Sequence, residues 1–180
     1  SYIYHEAGDG YVPKSGDLII TGDDTDLLKV TNRSLNMITG LGRFPWWHED
    51  TVWNGHILYV AENNDGILTC YEGNTIAPGE NLTYDDPDYI HKSFVDSVQI
   101  NFETSETVTQ NKWPEKKIRA VIETGFSEEC ADRINQKAQD LLKWFKADPW
   151  GMRRDVLNLY AEDIDWCGLF VHYLLLSALQ

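Results

Sequence analysis

The sequence predicts a single α+β domain across residues 1–180. Three observations carry this expectation. Short apolar segments are closed by Gly, Asn and Asp turns, one stretch near residues 128–146 is amphipathic at helical spacing, and a C-terminal segment is apolar almost all round. Antiparallel strands joined by tight turns, with helices laid against them, suit that pattern. No repeat, low-complexity tract or linker-like stretch divides the chain.

Ser15-Gly16-Asp17 is a turn signal, and Leu18 to Thr21 after it reads as a short buried strand. Residues 25–38 carry loose helical spacing through Leu27, Leu28, Leu35 and Ile38, ending at Gly40 or Gly42. An aromatic loop follows at Phe44 to Asp50. Asn54-Gly55 opens a strand over His56 to Ala61, and Asn63-Asn64-Asp65-Gly66 turns the chain into a second strand over Ile67 to Glu72. Residues 73–93 form a polar excursion, long for a compact domain. Further strands are expected at Ser97 to Phe102 and Ile118 to Glu123.

Ser127 should cap the amphipathic helix, with Glu128 and Glu129 placed at its positive end. Ile134, Ala138, Leu141, Leu142 and Phe145 share one face, and Pro149 stops the helix. The final segment, Cys167 to Leu179, is too apolar all round for a surface helix and is expected at the centre.

Composition narrows the function classes. Fifteen Lys and Arg stand against 29 Asp and Glu, for a formal charge of −14. Such a surface repels phosphate backbones and anionic lipid, so neither nucleic acid nor a membrane surface is an expected partner. The longest apolar run is broken by His172 and too short to span a bilayer. The N-terminal residues show neither the basic nor the apolar region of a signal peptide. Cys70, Cys130 and Cys167 are too few and scattered for a disulfide framework or a paired-cysteine metal site.

Chemistry concentrates at Cys167, His56 and Glu72. Asp165 stands where an N-cap is expected, which puts Cys167 in the first helical turn; amide N–H groups and the helix dipole there favour thiolate. Gly168 leaves room beside the sulfur. A nucleophile needs a base and a group to orient it. His56 begins one strand and Glu72 ends the next, so the hairpin sets them roughly opposite each other. Asn54 or Asn74 are the alternative orienting groups. Cys70, Cys130 and His172 read as core residues. His48-Glu49-Asp50 and His5-Glu6 with Asp9 contain ligand types, but neighbours on extended backbone point to opposite faces, so no metal or cofactor is expected.

Gly16-Asp17-Leu18-Ile19-Ile20, Gly55-His56-Ile57-Leu58-Tyr59-Val60 and Cys70-Tyr71-Glu72-Gly73 resemble the strands of NlpC-like papain-fold cysteine hydrolases. Asp165-Trp166-Cys167-Gly168-Leu169-Phe170-Val171 resembles that family's nucleophile helix, with Trp166 inserted and Gly168 where Ser is usual. The helix comes last, as in the circularly permuted branch. The resemblance implies a papain-like antiparallel sheet packed against a buried C-terminal nucleophile helix. It also implies attack by Cys167 on an amide carbonyl, proton transfer by His56, orientation by Glu72 and an oxyanion donor in the Cys167 backbone N–H. Peptidoglycan stem peptides are the implied substrate, in wall remodelling or in an antibacterial effector of type VI secretion delivered to a periplasm and met by an immunity or inhibitor protein. Trp46, Trp47 and Trp53 would line the substrate groove. Two alternatives remain: acyl transfer, lipid-ester hydrolysis, deamidation or transglutamination at the same site, and a non-catalytic binding module built on the Trp-rich loop.

Overall fold

The computed structural model describes residues 2–22, 56–75, 94–108, 117–148 and 167–176. In chain order these form β1 (Ile3–Glu6), β2 (Leu18–Gly22), β3 (His56–Asn64), β4 (Ile67–Thr75), β5 (Phe94–Asn101), β6 (Lys117–Glu123), α1 (Glu128–Ala147) and α2 (Cys167–Leu176). All six strands belong to one sheet in the order β1-β6-β2-β3-β4-β5, and every neighbouring pair is antiparallel.

This corrects the expected fold class. The described part is a β-rich, six-stranded antiparallel sheet with only two helices, of 20 and 10 residues, rather than an α+β papain-like arrangement. The physical reason lies in the strands themselves, which are apolar toward both faces. On one side Leu18, Ile20, Ile57, Tyr59, Tyr71, Val95, Ala120 and Ile122 form a cluster with the buried residues of both helices. On the other, Ile19, Leu58, Val60, Leu68, Cys70, Val98, Ile100, Ile118 and Val121 form a second cluster, flanked by Tyr11 and Phe102. Residues alternate between the two with the period of an extended strand. The sheet is an interior layer, and a strand buried on both faces reads as a continuous apolar run.

The five expected strands are present. β1 was not expected, because Ile-Tyr-His-Glu has no apolar alternation; it is a short edge strand, at most half-buried, paired to β6. Short, polar strands are what a sheet edge tolerates. The expected helix at residues 25–38 and the aromatic loop lie outside the described residues, as does most of the polar excursion, whose first residues extend β4.

α1 begins as the sequence predicts, with the Ser127 hydroxyl accepting from the Cys130 N–H at 3.1 Å. Its buried stripe is Ala131, Ile134, Ala138, Leu141 and Phe145. α2 buries Phe170, Val171, Leu174 and Leu175 against β3 and β4, while Leu176 remains 42% exposed. Its apolar surface exceeds what it buries, so the expectation of central burial holds for one side only. The Lys137 ammonium, 5.2 Å above the Tyr173 ring, links the two helices. No helix among the described residues is long and apolar enough to cross a membrane.

The Gly-Asp-Leu turn anchors the sheet to α1. Gly16 has φ +99°, and a Cβ there would lie 3.3 Å from Ala131 Cβ, so glycine is required twice over. Asp17 is fully buried and accepts from Tyr11 Oη at 2.7 Å, from the Lys14 N–H at 3.0 Å and from the Thr124 N–H at 3.3 Å. Burial raises its carboxyl above the ordinary range, against the pull of those bonds.

Candidate active site

His56 is the first residue of β3 and Glu72 the sixth of β4. They meet: His56 Nε2 and Glu72 Oε2 are 2.8 Å apart, with side chains 9% and 0% exposed. An ionised carboxylate can only accept, so Nε2 carries the hydrogen and donates it. That tautomer puts the ring's basic lone pair on Nδ1. The His56 carbonyl accepts from Thr21 Oγ1 at 3.5 Å, which ties the start of β3 to β2.

The meeting depends on one extra residue. From the turn, the pairs Asn64–Ile67, Asn63–Leu68 and Glu62–Thr69 run in one register; past Ala61 the pairs become Val60–Cys70 and Tyr59–Tyr71. Without this bulge, the first register would set Glu72 opposite Tyr59, on the face His56 does not share. A one-residue slip moves a strand's side chains to the other face, and a bulge makes such a slip permanent. With it, Glu72 stands one diagonal step from His56, a separation of about 7–8 Å that two long side chains close. The two are diagonal rather than directly opposite, as the hairpin count alone suggested.

Charge is concentrated around Glu72. Asp96 is its direct partner across β4 and β5. Burial raises the Asp96 carboxyl, and the Glu72 charge raises it further. Burial pushes the Cys70 thiol far up, again with a contribution from Glu72, so Cys70 is a poor thiolate former inside the sheet. Glu72 Oε1 is buried and has no hydrogen-bond partner among the described residues. An orphaned buried carboxylate oxygen is expensive, and groups of that kind occur at sites kept for chemistry.

Cys167 opens α2 and Gly168 follows it, as the sequence predicts, but their side chains and Asp165 lie outside what the structure describes. α2 rests on β3 and β4, the two strands that carry His56 and Glu72. Strand alternation, however, groups His56 with Leu58 and Val60, and Glu72 with Cys70, on the face opposite the one α2 covers. Trp46, Trp47 and Trp53 lie outside the described residues, as do Asn54 and His48 to Asp50.

Among the described residues no group of three His, Cys, Asp or Glu is arranged to hold a metal ion. His5 and Asp9 instead bond to each other at 2.8 Å, and the His5 ring stacks on Tyr11 with centroids 3.9 Å apart. Cys130 is half-buried beside the helix-side cluster, and His172 is half-buried on α2. A separate cleft of about 930 Å³ opens at the turn end of the β3–β4 hairpin, between Asn63, Asp65, Asp132 and Asn135, away from His56.

Sequence reasoning missed two members of this region. Asp96 lies one residue before the strand expected from Ser97, whereas β5 begins at Phe94. Ala61 gives no bulge signal of its own, and only the count of residues between His56 and Glu72 hints at it. Comparison of the chain with known protein families, curated proteins and solved structures finds no match.

Proposed function

We propose that this protein is a cysteine hydrolase that cleaves amide bonds of short peptides, with peptidoglycan stem peptides as the substrate class. The observation that supports it best is the buried 2.8 Å bond between His56 Nε2 and Glu72 Oε2. A carboxylate that accepts from one imidazole nitrogen holds the ring in a single tautomer, aims the other nitrogen and stabilises the imidazolium that forms during proton transfer. The order of Gly16-Asp17-Leu18, His56, Glu72 and Cys167, which resembles NlpC-like hydrolases, supports the same reaction.

In this reading the Cys167 thiol gives its proton to His56 Nδ1, and the thiolate attacks the amide carbonyl carbon. The C=O π pair moves onto oxygen, where the Cys167 backbone N–H at the helix start stabilises it; one such donor is typically worth about 3 kcal/mol. Collapse breaks the C–N bond, and His56 passes its proton to the departing amine, leaving a thioester on Cys167. Water, deprotonated by His56, then releases the acid and restores the thiol. Glu72 stays ionised throughout and never takes the proton.

The test is hydrolysis of purified peptidoglycan, read by release of stem-peptide fragments. The wild type should release them, and Cys167→Ala and His56→Ala should each fall by at least about a thousandfold. Undiminished release by Cys167→Ala would overturn the proposal.

A further inference from the structure

Glu72 brings two carboxylate oxygens into a space with no exposure, and only one of them, Oε2, is used by His56. The other, Oε1, is buried without a hydrogen-bond partner among the described residues. A carboxylate in that position needs a donor or it loses its charge. Across the ladder, Asp96 pairs with Glu72 in register, and direct cross-strand partners carry their Cβ atoms about 4.5–5.5 Å apart on one face. An ionised aspartate offers no donor there; a protonated one offers a hydroxyl at the end of a short side chain.

We propose that Asp96 is a positioning residue for the His56–Glu72 pair: as a neutral acid it donates its hydroxyl hydrogen to Glu72 Oε1 from the neighbouring strand, and so leaves Oε2 to His56. This rests on the hydrolase reading for its use, but not for its geometry. Two carboxyls facing each other across a ladder do not both ionise readily. Among the described residues, burial and the Glu72 charge in β4 favour the Asp96 proton, while the Ser97 backbone N–H and Lys146 in α1 oppose it. His56 in β3 and Cys70 in β4 also bear on Glu72. The three strands β3, β4 and β5 would then carry an imidazole, a carboxylate and a carboxylic acid in one hydrogen-bonded row.

Two NMR readouts test this without requiring any hydrolysis. The first is the side-chain carboxyl titration of Asp96 in the wild type and in Glu72→Gln. Its midpoint should lie above that of an ordinary aspartate in the wild type and fall by about one pH unit when the Glu72 charge is removed. The second is the low-field proton signal of His56 Nε2–H, which should persist in Asp96→Asn, whose amide still donates, and disappear or broaden in Asp96→Leu. An Asp96 midpoint unmoved by Glu72→Gln, or a His56 signal lost in Asp96→Asn or retained in Asp96→Leu, would overturn the role. Both readouts can be repeated in Cys167→Ala, so an inactive wild type that keeps this coupling would refute the hydrolase and not the acid.

Discussion

The chain contains two histidine–carboxylate contacts of the same length in quite different surroundings. His5 Nδ1 and Asp9 Oδ2 are 2.8 Å apart, and so are His56 Nε2 and Glu72 Oε2. The first ties the edge strand β1 to the turn that follows it, four residues apart, with side chains 19% and 38% exposed; the second joins two interior strands. Around Asp9, a backbone N–H from Tyr11 does more than His5 to lower the carboxyl, so the local turn would survive without the imidazole. Glu72 is fully buried, and His56 donates to it from the neighbouring strand. Bond length does not separate the two contacts. What each group would face on losing the other does.

Removing the carboxylates should therefore give the widest contrast. Glu72→Ala takes the carboxylate from a buried imidazole and is expected to cost about 3–5 kcal/mol in urea unfolding. Asp9→Ala should move the same curve far less. Equal losses would break the distinction.

Deleting Ala61 comes next. The deletion removes the extra residue and joins the Glu62–Thr69 pair directly to Val60–Cys70, which leaves Glu72 on the face of His56. The low-field His56 signal should therefore persist in this variant, and its loss would show that the bulge itself shapes the pair.

Tyr11 links the surface contact to the interior, because its ring stacks on His5 while its hydroxyl donates to buried Asp17. Tyr11→Phe keeps the stack and removes the donor, at an expected cost of about 1.5–3 kcal/mol for a bond to a charged group. It should also raise the Asp17 carboxyl further. An acid whose folded-state pKa is raised adds stability that is complete below its unfolded value, near 3.8, and is lost as pH rises through the folded value. The loss in Tyr11→Phe should therefore extend to higher pH than in the wild type, as thermal melts from pH 4 to 8 would show.

The smallest effect belongs to Asp9→Asn. The Asp9 carboxyl is lowered, so its contribution is present above the unfolded value of 3.8 and disappears as pH falls through the folded one. Melting temperatures of the variant and the wild type should differ slightly above pH 5 and converge below pH 3. A difference that grew on acidification would contradict the assignment.

Much of this was legible in the chain because it depends on local pattern. Apolar runs bounded by turns marked β2 to β6, and Ser127 with the spacing of Ile134 to Phe145 marked α1. The His56–Glu72 contact followed from counting along a hairpin. Its diagonal geometry did not, since Ala61 carries no residue type that marks a bulge. The fold class failed for a related reason: periodicity shows that Leu18, Ile19 and Ile20 are all apolar, but not that both faces are covered. β1 was hidden because an edge strand needs no apolar signature. Asp96 precedes the strand expected from Ser97, and only the register of β5 sets it opposite Glu72.

The central claim is that Cys167 is a thiolate sustained by His56, and the rate of alkylation by iodoacetamide at pH 6 tests it most directly. The account predicts that Cys167 reacts at least tenfold faster than Cys70 and Cys130, and that His56→Ala abolishes the difference. A Cys167 that reacts no faster than the other two, or whose rate is unchanged in His56→Ala, would contradict it.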